Sequence, residues 1–363
     1  MQRIAIFGGS FNPVTKGHLA VAQYAITELA LDALFFVPAY QNPFKAARAL
    51  APAHHRIAML QNVLAAKMMI STFEVDRQGP SYTIETVKYF RRKYPQAQLV
   101  LLIGSDNLAK LPKWRAISEI CNLCQIVVFR RTVKINKTNL KRFGAQLLDN
   151  PLHPAASSRF LQGYFEDVAL VNRTYIGQHR LYFETILQRT LSQRRYLHSC
   201  HARTYAIQLA QSLSYDPDVA GFSALVHDLA KEVPNDQARA LIQNYAPQGR
   251  QLVPDYQLHQ ELGYWILKRE FQIDETICHS IRVHTSLALD LTLLDKIVFM
   301  ADKLCVGRKW PGIQKLRHLS FTNFDAAFAK VVIQTRDFNL AKGIELTLDQ
   351  AAIYIKWSKM SET

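Results

Sequence analysis

The chain has 363 residues, 49% of them hydrophobic, and carries 44 lysines and arginines against 29 aspartates and glutamates. That length supports two domains with separate cores, no apolar run approaches the roughly 18 residues of a membrane-spanning helix, and the glycines at 8 and 9 come too early for a signal peptide. The five cysteines are scattered and odd in number, which points to reduced thiols and a cytoplasmic protein, with Cys121 and Cys124 filling core rather than binding metal.

Charge is unevenly distributed. Residues 1–190 hold 24 basic against 11 acidic side chains, whereas 191–363 hold 20 against 18. A basic first half suits a site for polyphosphate and mononucleotide; with no interleaved aromatic and basic motif, nucleic acid is not the expected partner.

In chain order, Ile4-Ala5-Ile6-Phe7 reads as a buried strand and 19–30 as a helix. Between them lie Gly8, Gly9, Ser10, Phe11 and, at the helix entry, Thr15 and His18. Glycines let backbone N–H groups approach a phosphate, and the helix start adds free N–H groups and its positive dipole end. Thr15 and His18, three apart, place a hydroxyl and an imidazole where both can face a phosphate chain. Strands are expected at 34–38, 70–75, 99–103 and 126–129, and helices at 53–67, 82–94 and 108–123. This alternation is that of an α/β doubly wound parallel sheet, whose ligands lie at the carboxyl ends of the strands.

The residues at those ends carry a resemblance. The opening turn resembles the (H/T)xGH signature of the nucleotidyltransferases. Pro43-Phe44-Lys45, Gly79-Pro80-Ser81-Tyr82-Thr83, Gly104-Ser105-Asp106 with Trp114, and Arg130-Arg131 follow in the order found in nicotinate (or nicotinamide) mononucleotide adenylyltransferases. The resemblance implies a Rossmann-like domain that joins ATP, with magnesium, to a pyridine mononucleotide. His18 and Thr15 would contact the ATP phosphates, with Gly8, Gly9, Ser10 and Phe11 forming the cradle, and Lys45 would offset charge on the reacting phosphorus. Gly104 and Asp106 would serve the nucleotide hydroxyls; Ser81, Tyr82, Thr83 and Trp114 would hold the pyridine ring; Arg130 would supply the basic group after the last strand. The sequence departs from the family in having Thr15 for a histidine, Phe44 for the histidine of PHK, and only Ser157-Ser158-Arg159 in place of ISSTxIR.

The boundary between domains is expected near 187–194, giving 1–190 and 191–363. From residue 193 the pattern is helical throughout, and His198, His227-Asp228, His259, His284 and Asp302 each fall in a helical or helix-end setting. One ligand from each of several helices is how an all-α domain assembles a metal site, and imidazole with carboxylate and no thiolate suits iron, manganese or another borderline ion. The series resembles the HD-domain phosphohydrolases, most closely the bacterial branch that splits diadenosine tetraphosphate symmetrically. The resemblance rests on Arg195-Tyr196-Leu197-His198-Ser199, 225–231, Leu258-His259 with Gly263, 281–285, and Leu294-Asp295-Lys296 through Asp302. It implies an all-α HD domain in which His198, His227, Asp228, His259, His284 and Asp302 hold two divalent ions, Asp228 between them, and Lys231 binds phosphate. Where the family has HTTG this chain has His284-Thr285-Ser286-Leu287, so the loop after His284 is expected to differ.

The expectation is a bifunctional enzyme of NAD biosynthesis: adenylyl transfer to nicotinate mononucleotide, giving deamido-NAD and pyrophosphate, and hydrolysis of a dinucleoside polyphosphate to ADP. The alternatives are a phosphopantetheine-type acceptor, suggested by Thr15, and a nucleotide-binding sensor domain that regulates the phosphohydrolase. Oligomeric state is not legible.

Overall fold

The apolar runs of the first half pair side by side in a six-stranded, wholly parallel sheet whose strands lie in the order 68–70, 33–38, 3–9, 98–104, 125–129 and 146–147. The computed structural model describes residues 1–41, 50–248 and 253–359 and divides into two units, Met1–Asn172 and Arg173–Thr363.

In the first unit the strands are β1 (Arg3–Gly9), β2 (Ala33–Pro38), β3 (Met68–Ile70), β4 (Gln98–Gly104), β5 (Gln125–Phe129) and β6 (Gln146–Leu147). The helices between them are α1 (Lys16–Glu28), α2 (Ala53–Gln61), α3 (Phe73–Arg77), α4 (Thr83–Lys93), α5 (Ile117–Leu123) and α6 (Lys137–Arg142), followed by α7 (Ser157–Phe160). Strands covered on both faces need near-continuous apolar runs, and every residue of β2 is buried. One core face gathers Ile4, Ile6, Phe35, Val37, Phe90, Leu99, Leu101, Ile126 and Val128; burying each such side chain is worth about 1.5–3 kcal/mol. The strand order reverses between β1 and β4, so the carboxyl ends of those two strands, Gly8-Gly9 and Gly104, flank the crevice where ligands of such sheets bind.

Several local expectations give way; the helix expected at 53–67, for one, ends at Gln61. The third strand ends at Ile70, and Phe73–Arg77 is helical. The Thr72 hydroxyl donates to Asp76 at 2.6 Å, and the buried Glu74 carboxylate accepts from Thr86 at 2.5 Å; these local bonds outcompete continued strand pairing. The expected helix at 108–123 is a 3₁₀ segment, Ser105–Lys113, and then α5, because Pro112 lacks the N–H an α-helix needs. A short sixth strand, β6, extends the sheet beyond β5. The Cys124 thiol is buried and pushed up to about 12 by that burial, as befits core filling.

The second unit is helical. After α8 (Leu170–Gln178) and α9 (Phe183–Thr190) come α10 (Gln193–Ser212), α11 (Pro217–Val226), α12 (Asn235–Tyr245), α13 (Leu258–Trp265), α14 (Glu275–Val283), α15 (Leu293–Leu304), α16 (Ile313–Thr322), α17 (Phe324–Ala341) and α18 (Leu348–Ser358). The division falls earlier than the sequence expectation of 190. Phe183 on α9 packs edge-on against Phe222 at 5.1 Å and in a tilted arrangement against Phe271 at 4.8 Å, which binds residues 173–190 to the helical core. Helix starts are written in the sequence: Asp216 accepts from Asp218 and Val219 N–H groups with Pro217 following, Asp274 accepts from Thr276, and Thr292 pairs reciprocally with Asp295. No helix among the described residues is long and apolar enough to cross a membrane.

Candidate active sites

At the carboxyl end of β1 the chain turns through Gly8, Gly9, Ser10 and Phe11 into α1. The space that a Cβ on Gly8 would enter is open, whereas one on Gly9 would lie 2.8 Å from the Phe11 ring. Phe11 itself is buried, in the left-handed region at φ 44°, and packs edge-on against Phe7, Phe36 and His18. Its side chain therefore shapes the turn from beneath.

Thr15 differs from expectation in a similar way. Its side chain is buried, its hydroxyl lies 2.7 Å from His18 Nδ1, and its backbone N–H donates to the same nitrogen at 3.1 Å. A backbone N–H can only donate, so Nδ1 is the acceptor and the neutral ring carries its proton on Nε2. The hydroxyl that sequence spacing assigned to phosphate is occupied in fixing the imidazole.

The late segment also reaches this turn. A Cβ on Gly17 would lie 2.4 Å from the Ala155 carbonyl oxygen, so only glycine admits that strand of chain, and the Ser157 hydroxyl donates to the Pro13 carbonyl at 2.8 Å. Ser157-Ser158-Arg159 thus opens α7 directly against the glycine turn. Buried Arg56 on α2 donates to the carbonyls of Ser10 and Ala51, fixing the turn from another side.

Beyond β4, Asp106 is half-exposed and pairs with Arg131 at 3.3 Å, while Ser105 Oγ accepts from the Arg131 N–H. Arg130, the expected basic group, instead directs its guanidinium to Asp149 at 3.0 Å, so the arginine beside Asp106 is its neighbour. Trp114 and Tyr82 pack against one core face, with Arg115 over the Tyr82 ring at 5.0 Å. The Ser81 and Tyr82 N–H groups donate to Gln41 and Pro80 carbonyls; Thr83, the first residue of α4, offers a backbone N–H with no intrahelical acceptor. Lys45 lies outside the described residues.

In the second unit the six expected ligands converge. His198 is on α10 and Asp302 on α15; His259 opens α13; His227 and His284 sit at the C-caps of α11 and α14. His227 Nδ1 lies 2.7 Å from the Ala224 carbonyl and His284 Nδ1 2.6 Å from that of Ile281. A carbonyl only accepts, so both rings are protonated at Nδ1 and turn an Nε2 lone pair inward.

There His198 Nε2 is 2.9 Å from Asp302 Oδ1, and His227 Nε2 is 3.7 Å from that oxygen and 3.5 Å from Asp228 Oδ2. On the other side Asp228 Oδ1 is 3.6 Å from His259 Nε2 and 3.7 Å from His284 Nε2, and the two imidazoles are 3.2 Å apart. Spacings of this size are those of atoms sharing an ion through bonds near 2.1 Å. The buried His227 Nε2 makes no hydrogen bond, as expected of a metal ligand. The donor set fits a divalent cation, with His198, His227 and Asp302 on one side of the Asp228 carboxylate and His259 and His284 on the other.

The protonation states agree. Burial alone would raise the Asp228 and Asp302 carboxyls, but His227 and Lys231 beside the first, and Lys303, His198, His227 and Arg308 beside the second, hold both well below the usual range. Burial pushes the His259 ring well down, with His284 and Lys231 adding to it, and lowers His284 and His198 despite their carboxylate partners. Anionic carboxylates and neutral imidazoles are the forms that bind metal. His227 alone shifts upward, where Asp228 and Asp302 outweigh its burial.

Four cations ring the carboxylates: Arg195 at 3.5 Å and Lys231 at 3.7 Å from Asp228, and Lys303 at 2.7 Å and Arg308 at 2.5 Å from Asp302. Sequence reading singled out only Lys231. Arg308 reaches the Asp302 carboxylate from six residues further along the chain.

Comparison with known proteins agrees with this division. Residues 6–160 match the Cytidylyltransferase-like family and residues 195–307 the HD domain family. A protein of Mycoplasma genitalium named "Probable nicotinate-nucleotide adenylyltransferase/Ap4A hydrolase" is 33% identical over 345 residues, 90% of this chain and 96% of its own length. A Mycoplasma pneumoniae protein of the same name is 32% identical over 309 residues, 82% of this chain and 87% of its own. Among solved structures, a "predicted HD superfamily hydrolase involved in NAD metabolism" from Clostridium acetobutylicum is 27% identical, covering 48% of this chain and 94% of its own, with a TM-score of 0.45. With one relative matched across nearly the whole of both chains, this protein belongs to the family of fused nicotinate-nucleotide adenylyltransferases and Ap4A hydrolases.

Proposed function

We propose that the chain is a bifunctional enzyme, in which the first unit transfers an adenylyl group from ATP to nicotinate mononucleotide, releasing pyrophosphate, and the second hydrolyses diadenosine tetraphosphate to ADP. The observation that supports this reading is the presence in one chain of two unlike clusters: an imidazole fixed through Nδ1 beside a glycine turn, and a carboxylate set between two groups of imidazoles. Full-length kinship with proteins of that name supports it.

In the first site, Gly8, Gly9 and the start of α1 receive the triphosphate, and His18 Nε2–H donates to a phosphate oxygen as charge builds on the leaving pyrophosphate. Thr15 sets the ring's tautomer and direction. Asp106 receives ribose hydroxyls, and Trp114 and the Thr83 N–H receive the pyridine carboxylate and ring, with the acceptor 5′-phosphate aligned on the α-phosphorus; Lys45 belongs to the same reading. Alignment of two bound reactants supplies up to about 7–11 kcal/mol, so little covalent help is required. Magnesium enters with ATP and neutralises phosphate charge.

In the second site His198, His227, Asp228 and Asp302 would hold one ion and Asp228, His259 and His284 another, with iron or manganese suited to the N/O donors. Such ions supply a nucleophile from water near neutral pH. The chain's own part is to hold His198, His259 and His284 neutral, to aim the His227 and His284 rings through their Nδ1 bonds, and to grip polyphosphate with Lys231, Arg195 and Arg308, a cationic surround that favours a tetraphosphate bridge over a singly charged ester. Free thiols throughout the described residues accord with a reducing cytoplasm.

The test offers ATP and magnesium with nicotinate mononucleotide, nicotinamide mononucleotide or phosphopantetheine in parallel and follows pyrophosphate. Release with nicotinate mononucleotide, weaker with its amide, is expected. Release only with phosphopantetheine would reassign the acceptor, and silence with all three would leave a sensor domain.

A further inference from the structure

The loop after His284 departs from the family pattern, and its geometry is held from outside the ligand set. Leu287 is buried and left-handed at φ 59°, and its N–H closes α14 onto the Val283 carbonyl at 2.8 Å. That is the position of the glycine in HTTG. A leucine there costs on the order of 1–2 kcal/mol of backbone strain, which persists only where surrounding contacts enforce it.

The contacts come from two sides. Gln260, buried next to His259, accepts from the N–H groups of Thr285 and Ser286 at 3.0 and 3.3 Å and donates to Ser286 Oγ at 2.8 Å. From α18, far beyond the last ligand in sequence, Gln350 Nε2 donates to the Ser286 carbonyl at 2.6 Å and Trp357 Nε1 to the Ala288 carbonyl at 2.7 Å. Gln350 Oε1 in turn accepts from Gln257 Nε2 at 3.4 Å, two residues before His259. Both side chains are buried; Gln350 is fixed by the Thr347 cap and Trp357 by edge-on packing against Phe328 at 5.8 Å. The same helix therefore touches the approach to His259 and the exit from His284, the two imidazoles on one side of Asp228, while Thr285 Oγ1 lies 3.3 Å from His259 Nε2.

We infer that Gln350 and Trp357 of α18 are positioning residues for the second ion, clamping the Thr285–Ala288 backbone so that His259 and His284 stay at bonding distance of a shared cation. This rests on the two-ion reading above. The ion held by His198, His227, Asp228 and Asp302 has no ligand on the clamped segments and should be indifferent to the clamp.

The test strips the full-length chain of metal and titrates it with Mn²⁺, counting bound ions by equilibrium dialysis and elemental analysis and recording the melting temperature of the metal-free form. Gln350→Glu keeps shape and acceptor but removes the N–H; Trp357→Phe keeps a ring and removes the N–H. The wild type should take two ions, and each variant should bind the second about 10- to 100-fold more weakly, the usual effect of outer-shell partners, with the first unchanged. Two ions bound with wild-type affinities in both variants would overturn the clamp, as would equal weakening of both ions with a lowered melting temperature, which marks a general structural role. A wild type taking fewer than two ions would overturn the two-ion reading itself, and the inference with it.

Discussion

Nδ1 of His18 receives the Thr15 backbone N–H at 3.1 Å and lies 2.7 Å from the Thr15 hydroxyl. Thr15 thus serves its neighbour, and the neutral His18 ring carries its proton at Nε2 by consequence. Thr15→Ala should lower the rate of dinucleotide formation about 10- to 100-fold, the scale of a misplaced catalytic group, with Thr15→Ser close to wild type. Steady-state pyrophosphate release measures it; an unchanged rate in Thr15→Ala would mean that the hydroxyl does not hold the ring.

Asp228 offers one oxygen to each side of the second site. Asp228→Ala should therefore empty both positions, whereas His284→Ala should empty one. Elemental analysis of the purified variants distinguishes them, and full metal content in Asp228→Ala would contradict the assignment.

The buried imidazoles give the metal-free protein an acid sensitivity whose sign can be worked out. His198, His259 and His284 have ring pKa values lowered by burial, so the unfolded chain binds more protons than the folded one as pH falls below about 6.5, and stability declines. Asp228 and Asp302, also lowered, lose their contribution as pH falls further, through the unfolded carboxylate value near 4 and below. His227, raised, works in the opposite direction, with stability present below about 6.5 and lost as pH rises through its folded value. Three rings against one set the balance. The melting temperature of metal-stripped protein should drop between pH 7 and pH 5, and a flat or rising profile would show the rings to be charged in the fold.

Much of this was legible in the sequence because the signals are local. Apolar runs of four to six residues mark five strands, and five histidine- or aspartate-bearing helical segments mark the residues that converge around Asp228. Spacing could not say which way a side chain turns. Thr15 sits three residues before His18 in either role, and only its burial shows it directed at the ring. Arg130 and Arg131 are equivalent as letters, yet Asp149 holds one and Asp106 the other. The third strand stops short of 75 because Thr72 and Glu74 find partners at Asp76 and Thr86, and Pro112 breaks the helix expected at 108–123. Gln350 and Trp357 gave no signal, since their partners are backbone carbonyls more than sixty residues away.

If two sites in one chain carry two chemistries, each can be silenced without the other. The most direct measurement assays the full-length wild type, His18→Ala and Asp228→Ala side by side, for pyrophosphate release from ATP with nicotinate mononucleotide and for ADP release from diadenosine tetraphosphate in the presence of manganese. A crossed pattern is expected, in which His18→Ala loses only the first activity and Asp228→Ala only the second. Loss of both activities in either variant, or neither activity in the wild type, would contradict it.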